Sequence, residues 1–576
     1  MQSTKIFLSI FIITGLLITS CEDFLGPDKD NHSTTKRLFT DPAFAEGVLI
    51  NGYTGWLNNY ALDEVATDDA VTNVKGSSYQ RMATGEWSAL YNPISVWNTA
   101  YQKIYYLNYF LSIVNDVNYA WDDRASRSTL RDSLFKKRFT GEARILRAWY
   151  NFELLKNHGG VASDGNPTGF IIIDKVPDRN ENFNLARNSY DDCVEFILDD
   201  INSGISLLPN VYADQPSTVK DYVAINAVFG NASNKNKNRI NGKFGKALKA
   251  RVLLHIASMP FYTAAGKWDS TAVAAAKLLT VSGGGINGVA GMTNNGLNFW
   301  RYDADAEILF RRDYANANTR EVANFPPSRY GNGQTNPSQN LVDAFPMASG
   351  YPITHALSGY NPLAPYTGRD PRLSAYIVFN GGNINNVVVN TNVEDLKDGL
   401  NQLITSTRTG YYLKKLLQPA VNLTPSVMST ARHFYTIFRN TEMFLIYAEA
   451  ANEAWGPDVD PKGYGFTPRS ILAAIRKRAG IPTADPYLAS ITTQADMREL
   501  IRNERRIELC FEGQRFWDMR RWGLPLNETV KGMSIAGGVY SVIDVEARVY
   551  QTYMKYGPIP YQETLKASQT LQNQGW

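Results

Sequence analysis

Asn503-Glu-Arg-Arg-Ile-Glu-Leu-Cys-Phe-Glu-Gly-Gln-Arg-Phe-Trp-Asp518 interleaves carboxylates and guanidiniums with aromatic rings. On a helix Arg505 and Glu508 stand three residues apart, as do Glu512 and Arg515, so each couple is placed to pair. Charges set among Phe511, Phe516 and Trp517 are costly to bury unless they are paired. The block is therefore predicted to be a structural ion-pair network within a helical interior, not a catalytic cluster.

Helical signals extend in both directions from it. Thr493-Gln-Ala-Asp496 has the form of a capping box and opens a long helix expected to run through Phe511. Upstream, Thr467 is an N-cap and Pro468 a first helical residue. Ile471, Leu472, Ile475 and Ala479 then face a core before Gly480 and Pro482 end the helix. Residues 441–455 are rich in Ala, Leu and Ile and stop at Gly456-Pro457. Nearer the N-terminus, Asn92-Pro93 is expected to start a helix whose Trp97, Tyr101, Ile104, Asn108 and Leu111 share one face. A further helix spans about 130–157 and ends at Gly159-Gly160; others are expected near 190–208, 245–259 and 270–281. Paired antiparallel helices with small residues at their contacts predict a mostly α fold with tetratricopeptide-like stacking, although no clean 34-residue period is visible.

Two stretches depart from this pattern. Residues 51–92 and 283–430 are crowded with Asn, Gly, Pro, Tyr and Thr, with strand-like runs at 377–379 and 386–390. Loops this long in a packed protein are functional or disordered, and their aromatic content argues against disorder.

The N-terminus carries an address. Lys5, the apolar run 6–18 and small residues leading to Cys21 read as a signal peptide over residues 1–20. The run is shorter than the roughly 20 residues a membrane-spanning helix needs. Leu17-Ile-Thr-Ser-Cys21 has the form of a bacterial lipobox, which makes Cys21 the expected lipid-attachment site. Residues 21–40, with Glu22, Asp23, Asp28 and Asp30, read as a polar tether, and 41–576 as one large domain. More than one acyl chain would give a stable anchor. Cys193 and Cys510 fall in amphipathic helical patterns and are expected to be buried free thiols.

Other chemistries are excluded or disfavoured. A net charge of +3 over 576 residues gives no electrostatic reason to expect nucleic acid. The five histidines are scattered without metal-ligand spacing. Gly283-Gly-Gly-Ile-Asn-Gly288 fits G-x-G-x-x-G but follows a helix and lacks a βαβ context. A glycosidase carboxylate pair, distant in sequence, stays open at this level.

Gly141-Glu-Ala-Arg-Ile-Leu-Arg-Ala-Trp-Tyr150, Asp370-Pro-Arg-Leu373, Thr441-Glu-Met-Phe-Leu-Ile-Tyr-Ala-Glu-Ala450, Ile475-Arg-Lys-Arg-Ala-Gly480, the 503–518 block with Arg521-Trp-Gly523, Tyr556-Gly-Pro-Ile-Pro560 and Gln572-Asn-Gln-Gly-Trp576 occur in this order along the chain. Together they resemble the SusD/RagB family of Bacteroidota outer-membrane lipoproteins. The resemblance implies four tetratricopeptide-like helix pairs, with inserted loops forming a ligand-binding face. It implies a non-catalytic, cell-surface receptor that captures glycan and serves as the lid of a SusC-like TonB-dependent transporter; the RagB branch binds peptides instead. It allows a structural calcium ion, although no contiguous calcium loop is present and no cofactor is expected.

Glycan binding calls for exposed aromatic faces to pack on sugar rings, beside carboxylates, amides and arginines for the hydroxyls. The 51–92 loop offers Asp68, Asp69, Tyr79, Arg81 and Trp87; the central region offers Trp300, Tyr330, Tyr360, Tyr366 and Arg369. Trp87, Trp300, Asp69 and Arg369 are taken as the glycan-binding candidates. Arg369, just before Asp370-Pro371, has a second expected role in holding that turn.

Overall fold

The computed structural model describes residues 35–55, 63–119, 128–178, 180–263, 266–283, 298–301 and 306–576. The expected signal peptide, Cys21, most of the expected tether and the glycine run beyond Gly283 lie outside the described residues.

Ten helices carry the frame: α1 Pro42–Asn51, α2 Trp97–Ile113, α3 Ser128–His158, α4 Tyr190–Leu207, α5 Gly242–Ser258, α6 Lys267–Gly283, α7 Asn440–Trp455, α8 Pro468–Arg478, α9 Gln494–Glu508 and α10 Arg515–Trp522. Side chains fix their starts. Asp41, Ser189, Asn241, Thr467 and Thr493 each accept a hydrogen bond from a backbone N–H in the first turn they cap. From α1 to α7 each helix packs on the next, and α7 then packs on both α8 and α9. Four pairs result: α2/α3, α4/α5, α6/α7 and α8/α9. The third pair is split by residues 284–439, which explains why no repeat period is legible in the sequence.

Small residues set the spacing. A Cβ on Gly204 would overlap Ile145 Cγ1 and lie 2.9 Å from the Gly141 carbonyl, so α4 crosses α3 backbone against backbone. A Cβ on Gly245 would lie 2.7 Å from Ile205 Cγ1, which brings α5 equally close to α4. The apolar faces meet in one core that runs from Leu107 and Leu146 through Leu248 to Ile446, Ile471 and Ile501.

Two expected boundaries moved. The helix after Asn92-Pro93 begins only at Trp97, because the Asn92 side chain instead accepts from Trp87 Nε1 and the Ile94 N–H. Helix α9 stops at Glu508, not Phe511: Leu509 leaves the helix and Phe511 adopts φ 63°, its N–H donating to buried Glu64 at 2.7 Å.

The insertion builds its own core. Trp300, Phe345, Tyr376, Tyr411 and Tyr412 pack with Ile507, Cys510 and Phe511 at the end of α9. Short antiparallel pairs tie it together: β1 Ala70–Thr72 with β3 Thr335–Pro337, β2 Ile308–Ala317 with β6 Ala431–Arg439, β4 Ile377–Val378 with β5 Tyr412–Leu413, and β7 Val530–Ala536 with β8 Val539–Glu546. Val387–Val388 pairs with Asn383–Ile384 around Asn385-Asn386, both at positive φ, the arrangement of a tight hairpin. Among the described residues no helix is long and apolar enough to cross a membrane.

Candidate functional site

The charged 503–518 block is a buried network, with partners other than those read from the sequence. Arg505 donates to Asp518 (2.7 Å), Glu512 accepts from Lys415 (2.6 Å) and Arg439 (2.8 Å), and Arg515 grips Asp68 (2.8 Å). The expected Arg505–Glu508 and Glu512–Arg515 pairs do not form. Arg505, although three residues from Glu508 in α9, is drawn to Asp518, and Glu508 to Arg372, Arg439 and Arg478; Glu512 lies between α9 and α10 and so shares no helical turn with Arg515. Burial alone would raise the Glu508 carboxyl, yet Arg478, Arg439 and Arg372 hold it well below the usual carboxylate range. These charges are spent on one another.

The four glycan-binding candidates are all inside. Trp87 is 3% exposed, packed against Phe516, Tyr550 and Trp576, with Nε1 donating to Asn92 at 3.1 Å. Trp300 is 2% exposed and donates to the Leu417 carbonyl at 3.0 Å. Asp69 is fully buried and accepts from Arg506 Nε at 2.8 Å. Arg369 donates to the carbonyls of Pro365, Val342 and Phe345 and so locks the turn before Asp370. The expectation of exposed platforms is corrected: in a loop-rich region with few aliphatic runs, the largest rings supply the core, and charges beneath them must be paired. Tyr79 is half-buried against the Trp87 core, and Tyr366 stacks on Phe379. Arg81 is exposed but paired with Glu86.

The two loop-rich stretches nonetheless meet. Asn336 of β3, paired with Val71 of β1, accepts from the Arg408 N–H, and Arg408 donates to the Thr72 carbonyl, so residues 72–80 lie beside 401–408 with an open groove of about 550 Å³ between them. Its walls are mainly amides and cations: Asn73, Lys75 and Gln80 on one side, Asn401, Gln402 and Arg408 on the other. Asn73, Gln80 and Arg408 are positioned from behind. Asn73 Nδ2 donates to the carbonyls of Asn332 and Gly333, both at 2.9 Å. Arg408 Nη1 donates to the Thr72 carbonyl and to Glu546, both at 2.8 Å, and Gln80 Nε2 donates to the same Glu546 oxygen at 2.8 Å. Thr407 Oγ1 accepts from the N–H groups of Thr409, Gly410 and Tyr411, and Tyr412 hydroxyl ties Thr407 to the Asp398 carbonyl, so the 398–412 loop is braced. Leu403 and Ile404 form an exposed apolar lip. Tyr330, 57% exposed, lies two residues before Asn332, whose carbonyl Asn73 holds.

Of the named candidates only Tyr330 offers a largely free ring. Asn73, Lys75, Gln80 and Arg408 were missed; their signal in the sequence was only that they lie in the two loop-rich stretches. A second cavity of about 210 Å³ lies between α3, α5, β6 and α10, beside His255, Arg505 and Trp517. Among the described residues no cluster of His, Cys, Asp or Glu is arranged to hold a metal ion. Cys193 and Cys510 are buried free thiols.

Frame and groove together define a helical-repeat protein that carries a loop-built recess on one side. Residues 301–576 match the model of the SusD family, and residues 23–255 match a model described as starch-binding and associating with the outer membrane. The chain belongs to the SusD/RagB family. A SusD-like protein of Bacteroides fragilis shares 25% identity, with 94% of this chain and 99% of that one aligned at a TM-score of 0.73. A second B. fragilis structure, of a SusD-like carbohydrate-binding protein, has the same fold at 20% identity, with 92% and 99% covered and a TM-score of 0.69. SusD-like protein P38 of Formosa agariphila is 28% identical over 123 residues, 21% of this chain and 22% of that protein's length.

Proposed function

We propose that this chain is a non-catalytic glycan receptor, lipid-anchored through Cys21 at the outer surface of the outer membrane. It captures oligosaccharide in the groove between residues 72–80 and 401–408 and passes it to a SusC-like TonB-dependent transporter, over which it closes as a lid. One observation carries this reading: amide and guanidinium side chains that suit sugar hydroxyls are fixed from behind, in a recess formed where the two loop-rich stretches pair. Family membership and the carbohydrate-binding relative support it.

Peptide capture is the second reading, favoured by the absence of any aromatic side chain among the residues lining the groove. Calorimetry with panels of oligosaccharides and oligopeptides separates the two. Saturable glycan binding that Arg408→Ala weakens, with no release of reducing ends, is the expected result. Saturable peptide binding with no response to any glycan would reverse the assignment.

A further inference from the structure

The charge around the groove is one-sided. Lys75 is exposed and makes no ion pair with a described residue, and no carboxylate lines the recess. Glu546 stands behind the wall and is already engaged twice: one oxygen accepts from Arg408 and Gln80, the other from Arg548. Arg408, Arg548 and Glu546 together leave one positive charge, and Lys75 adds a second.

Arg408 is also held in an orientation suited to an anion. Its Nη1 is fixed by the Thr72 carbonyl and Glu546, while Nε and Nη2 make no hydrogen bond to a described residue. The side chain remains 27% exposed. A guanidinium anchored at one nitrogen and open at its other edge presents a planar donor pair that matches a carboxylate or a sulfate oxygen pair. The neighbouring amides of Asn401 and Gln402 suit the uncharged hydroxyls of the same sugar.

We infer that the groove selects glycans bearing an anionic group, a uronate carboxylate or a sulfate ester, which Arg408 grips through its open edge while Lys75 supplies further attraction. This rests on the groove being the glycan site. A neutral sugar would leave Lys75 and the open edge of Arg408 without an anion; an acidic one supplies it at the moment of binding.

Matched pairs of ligands test it: oligogalacturonate against its carboxyl-reduced counterpart, and a sulfated galactan oligosaccharide against its desulfated form, each by calorimetry. In at least one pair the charged member is expected to bind about tenfold tighter, the size of one charge-assisted hydrogen bond. That advantage should shrink between about 0.01 and 1 M salt, as the screening length falls from about 30 to about 3 Å. Lys75→Gln, an exposed substitution that leaves the fold intact, should remove part of it, and Arg408→Gln most of it. The pair that responds separates carboxylate from sulfate. Equal affinity within both pairs, or tighter binding of the neutral members, overturns the inference while leaving glycan capture standing. Binding of oligopeptides alone overturns both.

Discussion

Arg372 Nη1 donates to Glu508 Oε2 at 3.0 Å, and neither side chain has any solvent exposure. Arg372 belongs to the insertion and Glu508 is the last residue of α9, so this contact fastens the loop half to the helical frame. It does not act alone. Arg439 at the end of β6 and Arg478 at the end of α8 reach the same carboxylate, and Arg372 continues to Asp370 and Glu504. Glu504, Glu508 and the three arginines each pair with a charge on another element, while Asp370 pairs with Arg372 in the helix it caps. The groove depends on this clamp, because one of its walls belongs to the insertion.

Glu508→Ala is expected to destabilise the protein by about 3–5 kcal/mol, because it leaves buried guanidiniums without their common counter-charge. Urea unfolding followed by circular dichroism measures it. A loss below about 1 kcal/mol, the range of a surface ion pair, would mean that the network does not clamp the two halves.

Trp87→Ala acts on stability and not on the ligand. The ring fills a core with Phe516, Tyr550 and Trp576, and truncating a buried aromatic of this size costs about 3–5 kcal/mol. The melting temperature should fall, while the affinity of protein that is still folded should match the parent. Weakened binding with unchanged stability would place Trp87 back in the site.

The helical half was legible because amphipathic spacing and caps are local: Thr467, Thr493 and the stripe along α3 report burial within a few residues of themselves. The insertion was not. Asp68 meets Arg515, and Arg372 meets Glu508, across hundreds of residues or nearly so, and no spacing rule records such pairs. The groove residues were hidden for the opposite reason: Asn73, Gln80 and Arg408 are ordinary polar residues whose role comes from what braces them. Tryptophans drew attention through size, and size is what sent Trp87 and Trp300 to the interior.

Acid should weaken the fold through His158. Burial holds its imidazole down to about 4, with Arg187 and Arg520 adding to the effect against the Pro558 carbonyl. In the unfolded chain it titrates near its ordinary value of about 6.5. Between those values the unfolded state takes up a proton that the folded state refuses, so stability is full above about 6.5 and is lost as pH falls toward 4. The loss from this residue is about 3 kcal/mol. Unfolding free energies at stepped pH measure it, and His158→Gln should flatten part of the slope. His255, also depressed by burial, supplies more in the same direction. An identical slope in the variant would remove His158 as a contributor.

Gly204→Ala tests the frame itself. The added methyl group would enter Ile145 Cγ1 and press on the Gly141 carbonyl, and α3 can yield only by moving away from α4 along its length. Glycine to alanine in a helix interior otherwise favours folding by about 1 kcal/mol through lower chain entropy. Overpacking costs about 1–3 kcal/mol, so the expected net change is destabilising. The same substitution at Gly47 in α1, where a Cβ would meet nothing within 4 Å, should instead stabilise. Opposite signs at the two positions, read as shifts in melting temperature, would establish that close backbone packing at Gly204 sets the spacing of the pairs. A stabilised Gly204→Ala protein would show that the frame relaxes there at no cost.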